Sequence, residues 1–380
     1  MVFDLCTYFC IYLFNNGKVW EKNMTETQLS QKIIHIFTPG PYGGAEKHIE
    51  VGIKVLQQIS SNIELIIIGE KRTIKETNYF LKQLKKSNIK YDYFETTKKL
   101  DLQLIRKLKK YLDKKQPKII HSHGIKACFY AYLARPYQTA FFHTHHGRTA
   151  HTLKVKFYEQ IESFIMKKAT MVIAVSEKMQ KDLKNLNINS IQLIENPLSL
   201  TKIVYPQNKN SAPVFLYAGR LSEEKGCHLL LEAISSIENV KLIILGTGKE
   251  ERNLKEKAKD KGLEKRVSFM GFAEDITAYI KQADALIIPS LREGLPMVLI
   301  EATACGLPII ASKVGGIPKF MQKKGVLFEK NNSTALNKAL NDFLKDREFY
   351  KKQARDFSKE IQAKYSLDIW AEKLINIYKN

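Results

Sequence analysis

Cysteine is scarce in this 380-residue chain: Cys6, Cys10, Cys128, Cys227 and Cys305, five in all, odd in number and scattered. No CxxC pair and no Cys/His spacing suits zinc, so they read as free thiols of a reducing compartment, not a disulfide framework. Acidic residues are also short, 39 against 61 Lys and Arg, for a formal charge of +22. That balance invites a nucleic-acid reading. Against it, zinc-finger spacing and an RRM-type motif are both missing. Most of the charge is lysine in a chain rich in isoleucine and asparagine, which fits an A/T-rich genome. Long apolar runs are missing too. The stretch Leu5–Phe14 is too short to span a bilayer, and it lacks the basic flank and cleavage site of a signal peptide. Residues 1–31 read as an N-terminal extension, with Met24 an alternative start.

From Lys32 onward, short β-branched runs alternate with helical periods: strand "KIIHIFT", helix "GAEKHIEVGIKVLQQI", strand "IELIIIG", then strands "KIIHSHG", "AFFHTHHG" and "MVIAVS" with helices between. This is a doubly wound, parallel α/β pattern. The Pro-, Asn- and Ser-containing stretch Ile194–Pro213 reads as a linker, after which the alternation restarts with "VFLYAGR", "VKLIILG", "VSFMG", "ALIIPS" and "PIIAS". The expected organisation is a first Rossmann-like domain over 32–200, a second over 201–365, and a helical tail, 366–380, packing back on the first. Ligands of such a pair belong in the cleft, at the C-terminal ends of the strands.

The positive charge is uneven: residues 1–200 carry about 31 basic against about 17 acidic residues. The run "LDLQLIRKLKKYLDKKQPK" sets Leu104, Leu108, Tyr111 and Leu112 on one helical face and lysines on the rest. That pattern serves a solvated helix or a contact with an anionic membrane surface.

In the second half, "GRLSEEKG" places Arg220 at a strand end and Lys225 at the next helix start, two cations suited to a diphosphate. "LGTGKEE" ends another strand with Gly246 and Gly248, where backbone could approach a ligand. "REGLP" presents backbone N–H groups of Gly294 and Leu295 at a helix start, a natural phosphate site. The helix predicted over Pro296–Gly306 is apolar on nearly every side, which marks it as buried. Yet it holds Glu301, and Glu293 stands just before it. A buried carboxylate must be satisfied or titrate to neutral.

In order and spacing, "FLYAGRLSEEKGCHLLLEAI", "LIILGTGKEE", "VSFMGF" and "PSLREGLPMVLIEATACGLPIIASKVGGIP" resemble the retaining GT-B glycosyltransferases of family four, also called the group 1 glycosyl transferases. Glu293 and Glu301 match that family's E-x7-E signature. The resemblance covers roughly 32–345 and is strongest from Val214 to Pro318. It implies an α/β fold of GT-B architecture, two Rossmann-like parallel-sheet domains facing across a cleft. The second domain would hold a nucleoside-diphosphate sugar and the first a variable acceptor. Glu301 would then accept hydrogen bonds from the ribose hydroxyls and Glu293 from donor-sugar hydroxyls, while Arg220 and Lys225 hold the diphosphate. "GPYGGAEKHIE" resembles the family's glycine-rich loop, with Gly43 and Gly44 reaching the donor phosphates. "THHG" resembles its T-x-H-G, which maps the active-site histidine to His146, with His145 turned to the other face.

His121 and His123 of "HSHG" add to the histidines at these strand ends, but none has a carboxylate or cysteine at ligand spacing. No D-x-D occurs in the chain, which speaks against the metal-dependent single-domain glycosyltransferases. Lys319 stands where the family often has an acid. The expectation is a cytoplasmic, metal-independent, retaining glycosyltransferase without cofactor. It would act on a lipid-linked or saccharide acceptor in bacterial surface polysaccharide or lipopolysaccharide synthesis, peripheral on the cytoplasmic membrane, and would not bind nucleic acid. A nucleotide-sugar epimerase on the same fold and a basic nucleic-acid-binding protein are the competing readings.

Overall fold

A computed structural model describes residues 29–40, 42–97, 100–145, 153–200, 202–207 and 212–379. The apolar run Leu5–Phe14, Met24 and His146 lie outside the described residues.

The first half forms a seven-stranded parallel sheet of β1 (Ile33–Phe37), β2 (Ile63–Glu70), β3 (Asp92–Thr96), β4 (Ile119–His123), β5 (Ala140–His145), β6 (Met171–Ala174) and β7 (Ile191–Leu193), in the order β3-β2-β1-β4-β5-β6-β7. Its central strands read as unbroken apolar runs because helices cover both faces: Ile33, Ile34 and Ile36 are all fully buried. Those helices are α1 (Gly44–Ile59), α2 (Ile74–Lys86), α3 (Leu102–Lys115), α4 (Ile125–Ala134), α5 (Leu153–Met166) and α6 (Glu177–Asn185). In α3 the predicted face is the buried one. Leu104, Leu108 and Leu112 enter the core, and Asp101 caps the helix by accepting from Leu104 N at 3.0 Å.

The second half repeats the plan with β8 (Val214–Ala218), β9 (Lys241–Leu245), β10 (Val267–Gly271), β11 (Ala285–Ile288), β12 (Ile309–Ser312) and β13 (Val326–Phe328), all parallel, ordered β10-β9-β8-β11-β12-β13. Helices α7 (Cys227–Ser235), α8 (Glu251–Asp260), α9 (Thr277–Gln282), α10 (Met297–Ala304), α11 (Ile317–Met321) and α12 (Ser333–Lys345) cover it.

Strand order reverses between β1 and β4 in one sheet and between β8 and β11 in the other. These are the switch points where a doubly wound sheet opens a crevice. The loops that leave β1, β8 and β11 carry "GPYGGAEK", "GRLSEEK" and "LREGLP", so the topology gathers the motifs at the two crevices.

Two long helices close the chain. Helix α13 (Arg347–Lys364) packs on α10, and α14 (Leu367–Lys379) enters the core of the first domain through Trp370, Leu374, Ile375 and Tyr378. Gly52 of α1 makes room for it: a Cβ there would stand 2.7 Å from the Trp370 ring. No helix among the described residues is long and apolar enough to cross a membrane.

Candidate active site

Helix α10 differs from its sequence reading in two ways. Pro296 is extended (φ −70°, ψ 136°) and precedes the helix, which starts at Met297. Glu301 is not sealed in the core. Leu299, Ile300, Ala302, Thr303 and Ala304 are buried, but Met297, Val298 and Glu301 keep partial exposure. The helix is apolar on both sides because Met297 lies against the other domain. A Cβ at Gly44 would stand 3.3 Å from Met297 Cγ. The Glu301 carboxylate thus sits in the wall between the domains, where the Ser199 hydroxyl donates to it. Burial and the negative Asp275 push its pKa up to about 6, against the pull of Ser199 and the Lys47 charge.

Glu293 lies beyond β11 and is held from two sides. Ser290 Oγ donates to Oε1 at 2.9 Å, and Lys225 Nζ pairs with the same oxygen at 2.5 Å. Lys225 ends a 3₁₀ turn over Glu223–Lys225, just ahead of α7. The structure therefore joins two predicted site residues 68 positions apart. Arg220, two residues past β8, is exposed. Gly294 O accepts from Gly316 N at 2.8 Å, so the loop "VGG" braces "EGLP". Gly246 has a different immediate reason from the one its motif suggests: with φ +128°, a Cβ there would lie 1.9 Å from the Gly219 carbonyl. It allows β9 to press its backbone against the strand end that carries Arg220.

Across the cleft, Gly43 caps α1, and Glu46 organises the loop. Its Oε1 accepts from Gly40 N at 3.0 Å and its Oε2 from Gly43 N at 3.1 Å. Burial raises the Glu46 pKa, opposed by these N–H groups and by the positive Arg220 facing it from the other domain. Further contacts draw the domains together: Lys319 pairs with Glu177, and Glu274 accepts from Tyr79 at 2.5 Å and Gln83 at 2.9 Å.

Two family descriptions match the chain: "Glycosyltransferase Family 4" over residues 34–202 and "Glycosyl transferases group 1" over residues 202–363. The chain belongs to the family 4, group 1 glycosyltransferases. It is 26% identical over 317 residues to the lipopolysaccharide 1,6-galactosyltransferase of Salmonella typhimurium, covering 80% of this chain and 84% of that one. It is 29% identical over 269 residues to the UDP-Gal:alpha-D-GlcNAc-diphosphoundecaprenol alpha-1,3-galactosyltransferase of Escherichia coli, covering 63% and 70%. Three other curated relatives are matched over about half their length, 44, 59 and 40%. The solved structure of Anabaena HepE in complex with UDP and glucose superposes with a TM-score of 0.78 at 20% identity, over 92% of this chain and 99% of that one. That likeness establishes the GT-B fold for the two Rossmann-like halves.

In the first domain the histidines of β1, β4 and β5 fall into two buried networks, one on each sheet face. Towards α14, His35, His121 and His123 cluster around Tyr378. Tyr378 Oη lies 3.1 Å from His35 Nε2 and 2.5 Å from His121 Nδ1. His35 Nδ1 meets His123 Nε2 at 3.0 Å, and His121 Nε2 meets Thr144 Oγ1 at 2.7 Å. Every ring can stay neutral in this chain: Thr144 donates to His121, His121 to Tyr378, Tyr378 to His35 and His35 to His123, or all four bonds reverse. Burial, with a lesser push from His48, holds His35 down at about 3, in keeping with a neutral ring.

Towards α5, His143 Nε2 lies 3.2 Å from Glu162 Oε1, and His145 Nδ1 lies 3.6 Å from Oε2. His145 lies on the face opposite Thr144; its placement relative to His146 falls outside the described residues. No carboxylate stands at ligand spacing from these histidines in the sequence, yet the fold brings Glu162 to them. It arrives from a helix 19 residues after His143, which no local ligand spacing reveals. Each trio, His35/His121/His123 and His143/His145/Glu162, brings three donor atoms within 4.8 Å, close enough for a metal ion. In the first trio the nitrogens already serve one another and Tyr378.

Glu46, Lys47, Ser199, Glu162 and Tyr378 were all missed from the sequence. Only Glu46 left a readable trace, as the third residue of a capping box. A glycine in the capping position disguised it.

Proposed function

We propose that this chain is a retaining, metal-independent glycosyltransferase that moves a sugar from a nucleoside-diphosphate sugar to an acceptor hydroxyl. The reading rests on one observation above the rest: Glu293, Lys225 and Arg220 lie at the β8/β11 switch point, with Glu301 facing the glycine-rich loop of the other domain. Arg220 and Lys225 would take the diphosphate, and Glu301 the ribose hydroxyls. Glu293, fixed by Ser290, would take hydroxyls of the donor sugar. As the glycosyl bond breaks, negative charge builds on the departing diphosphate, and two cations, Lys225 just ahead of α7 and Arg220 just past the end of β8, would stabilise it without a metal. The acceptor hydroxyl would attack the face the diphosphate leaves, passing its proton to a departing phosphate oxygen. His146 is the proposed acceptor-side histidine.

Named relatives use UDP-galactose and a diphosphoundecaprenol-linked sugar, or act on lipopolysaccharide. They support a UDP-sugar donor and a lipid-linked or saccharide acceptor of surface polysaccharide synthesis, met at the inner face of the cytoplasmic membrane. Titration calorimetry with UDP, GDP and ADP in EDTA tests the donor half. One nucleotide should bind without metal, and Glu301→Gln should weaken it about 10- to 100-fold, the loss of a charge-assisted hydrogen bond. Equal binding by both proteins would remove Glu301 from the site.

A further inference from the structure

The lysine-rich helix α3 has no apolar side of its own to offer, because Leu104, Leu108 and Leu112 enter the core and Leu102, 60% exposed, is the one exposed leucine in it. The outer surface it shares with α4 and α5 does. These three helices pack side by side over one face of the first sheet. On α5, Phe157 and Phe164 stand seven residues apart, on one side of the helix, 59% and 62% exposed. Leu133 and Tyr137, at the end of α4, are also exposed. On α3, Lys107, Lys109, Lys110 and Lys114 are exposed, and Lys167 and Lys168 follow α5. The acids of this layer are withdrawn. Glu159 and Glu162 are buried, and Asp113, the one exposed acid among the described residues of the three helices, is paired with Lys109 at 3.2 Å.

We propose that the outer surface of α3, α4 and α5 docks on an anionic bilayer, with Phe157 and Phe164 entering the headgroup region and the lysines meeting lipid phosphates. Charge decides the occupant. Protein interfaces are depleted of lysine, whereas aromatic residues ringed by lysine suit an anionic lipid–water boundary. The placement follows the chain. Helix α5 comes after the cleft end of β5, so its first turns lie toward the cleft, and a bilayer there would present an acceptor headgroup to the site. The choice of acceptor rests on the proposed function; the docking itself does not.

The test is flotation of the full chain with vesicles of phosphatidylcholine alone or with about one-third phosphatidylglycerol. The protein should float with the anionic vesicles, and Phe157→Ser/Phe164→Ser should bind at least about tenfold more weakly. Phe164→Trp should shift its emission to the blue when anionic vesicles are added. Equal flotation of wild type and double variant, or no spectral shift, would overturn the proposal. So would a dimer in light scattering that the double variant abolishes, since the phenylalanines would then serve a second copy. Donor cleavage in vesicle-free buffer is read separately. The double variant should retain it, and its absence in both proteins would count against the transferase reading, not the docking.

Discussion

Burial pushes the Glu301 carboxyl up to about 6, so its ionised form costs the empty protein about 2 kcal/mol above that pH. The sign follows from the raised pKa. Stability is fully present below the unfolded value near 4.5 and is lost as pH rises through 6. Glu301→Gln, which keeps the shape and removes the charge, should therefore melt higher than wild type at pH 8. The difference should vanish below about pH 4.5. The same variant should bind nucleotide more weakly, an exchange of stability for function. Wild-type and variant melting curves that stay parallel across this range would show that burial does not strain Glu301. Both Glu293 and Glu301 were legible from the chain because a carboxylate in or beside an apolar helix is costly. Their actual partners, Ser199 and Lys225, were not tied to them by any local pattern, since they lie 102 and 68 positions away.

Helices and strands were easier to read than the contacts between them. Apolar runs of Ile and Val marked the buried parallel strands, and the Leu104/Leu108/Leu112 period marked α3. The docking of α14 shows the opposite case. Tyr378 meets His121 across 257 positions, and the order β1-β4 that brings His35 beside His121 is a property of the sheet, not of either segment. Tyr378→Phe keeps the ring and removes the hydroxyl that links His35 to His121, at a cost of about 1–3 kcal/mol for each of the two buried nitrogens that loses it. Denaturant unfolding should show that loss. If the chain through Thr144 also steadies the β5 end, kcat should fall more than the donor KM rises. On the other face, Glu162 combines burial, which raises its pKa, with the hydrogen bond to His143 and the nearby His145 ring, which prevail and hold it at about 2. Its contribution is present above pH 4.5 and lost as pH falls through 2. Glu162→Gln breaks this buried set and should destabilise the protein by about 3–5 kcal/mol at neutral pH. A Tm unchanged from wild type would contradict that.

At the scale of the molecule, two domains face each other across a narrow cleft, with contacts at both rims. On one, Glu274 takes hydrogen bonds from Tyr79 and Gln83 and pairs with Lys86 at 3.4 Å, while Phe272 lies against the rings of Tyr42 and Tyr79. On the other, Lys319 of α11 pairs with Glu177 of α6. Lys319 thus has work at the domain interface. Glu274→Ala removes three contacts from the first rim, so small-angle scattering should report a larger radius of gyration without donor. The donor KM should rise while folding stability stays close to wild type. An unchanged radius would place the hold between the domains elsewhere, in the Gly44–Met297 contact or the crossing of α14.

Glu293 and its neighbours at the β8/β11 switch point are proposed to cleave the bond between a sugar and a nucleoside diphosphate. The most direct test is nucleotide release by the purified protein, without acceptor, from UDP-, GDP- and ADP-sugars, with Glu293→Ala alongside. Slow release from one donor, lost in the variant, is the predicted result. Release that proceeds equally in the Glu293→Ala protein would contradict the assignment of this site.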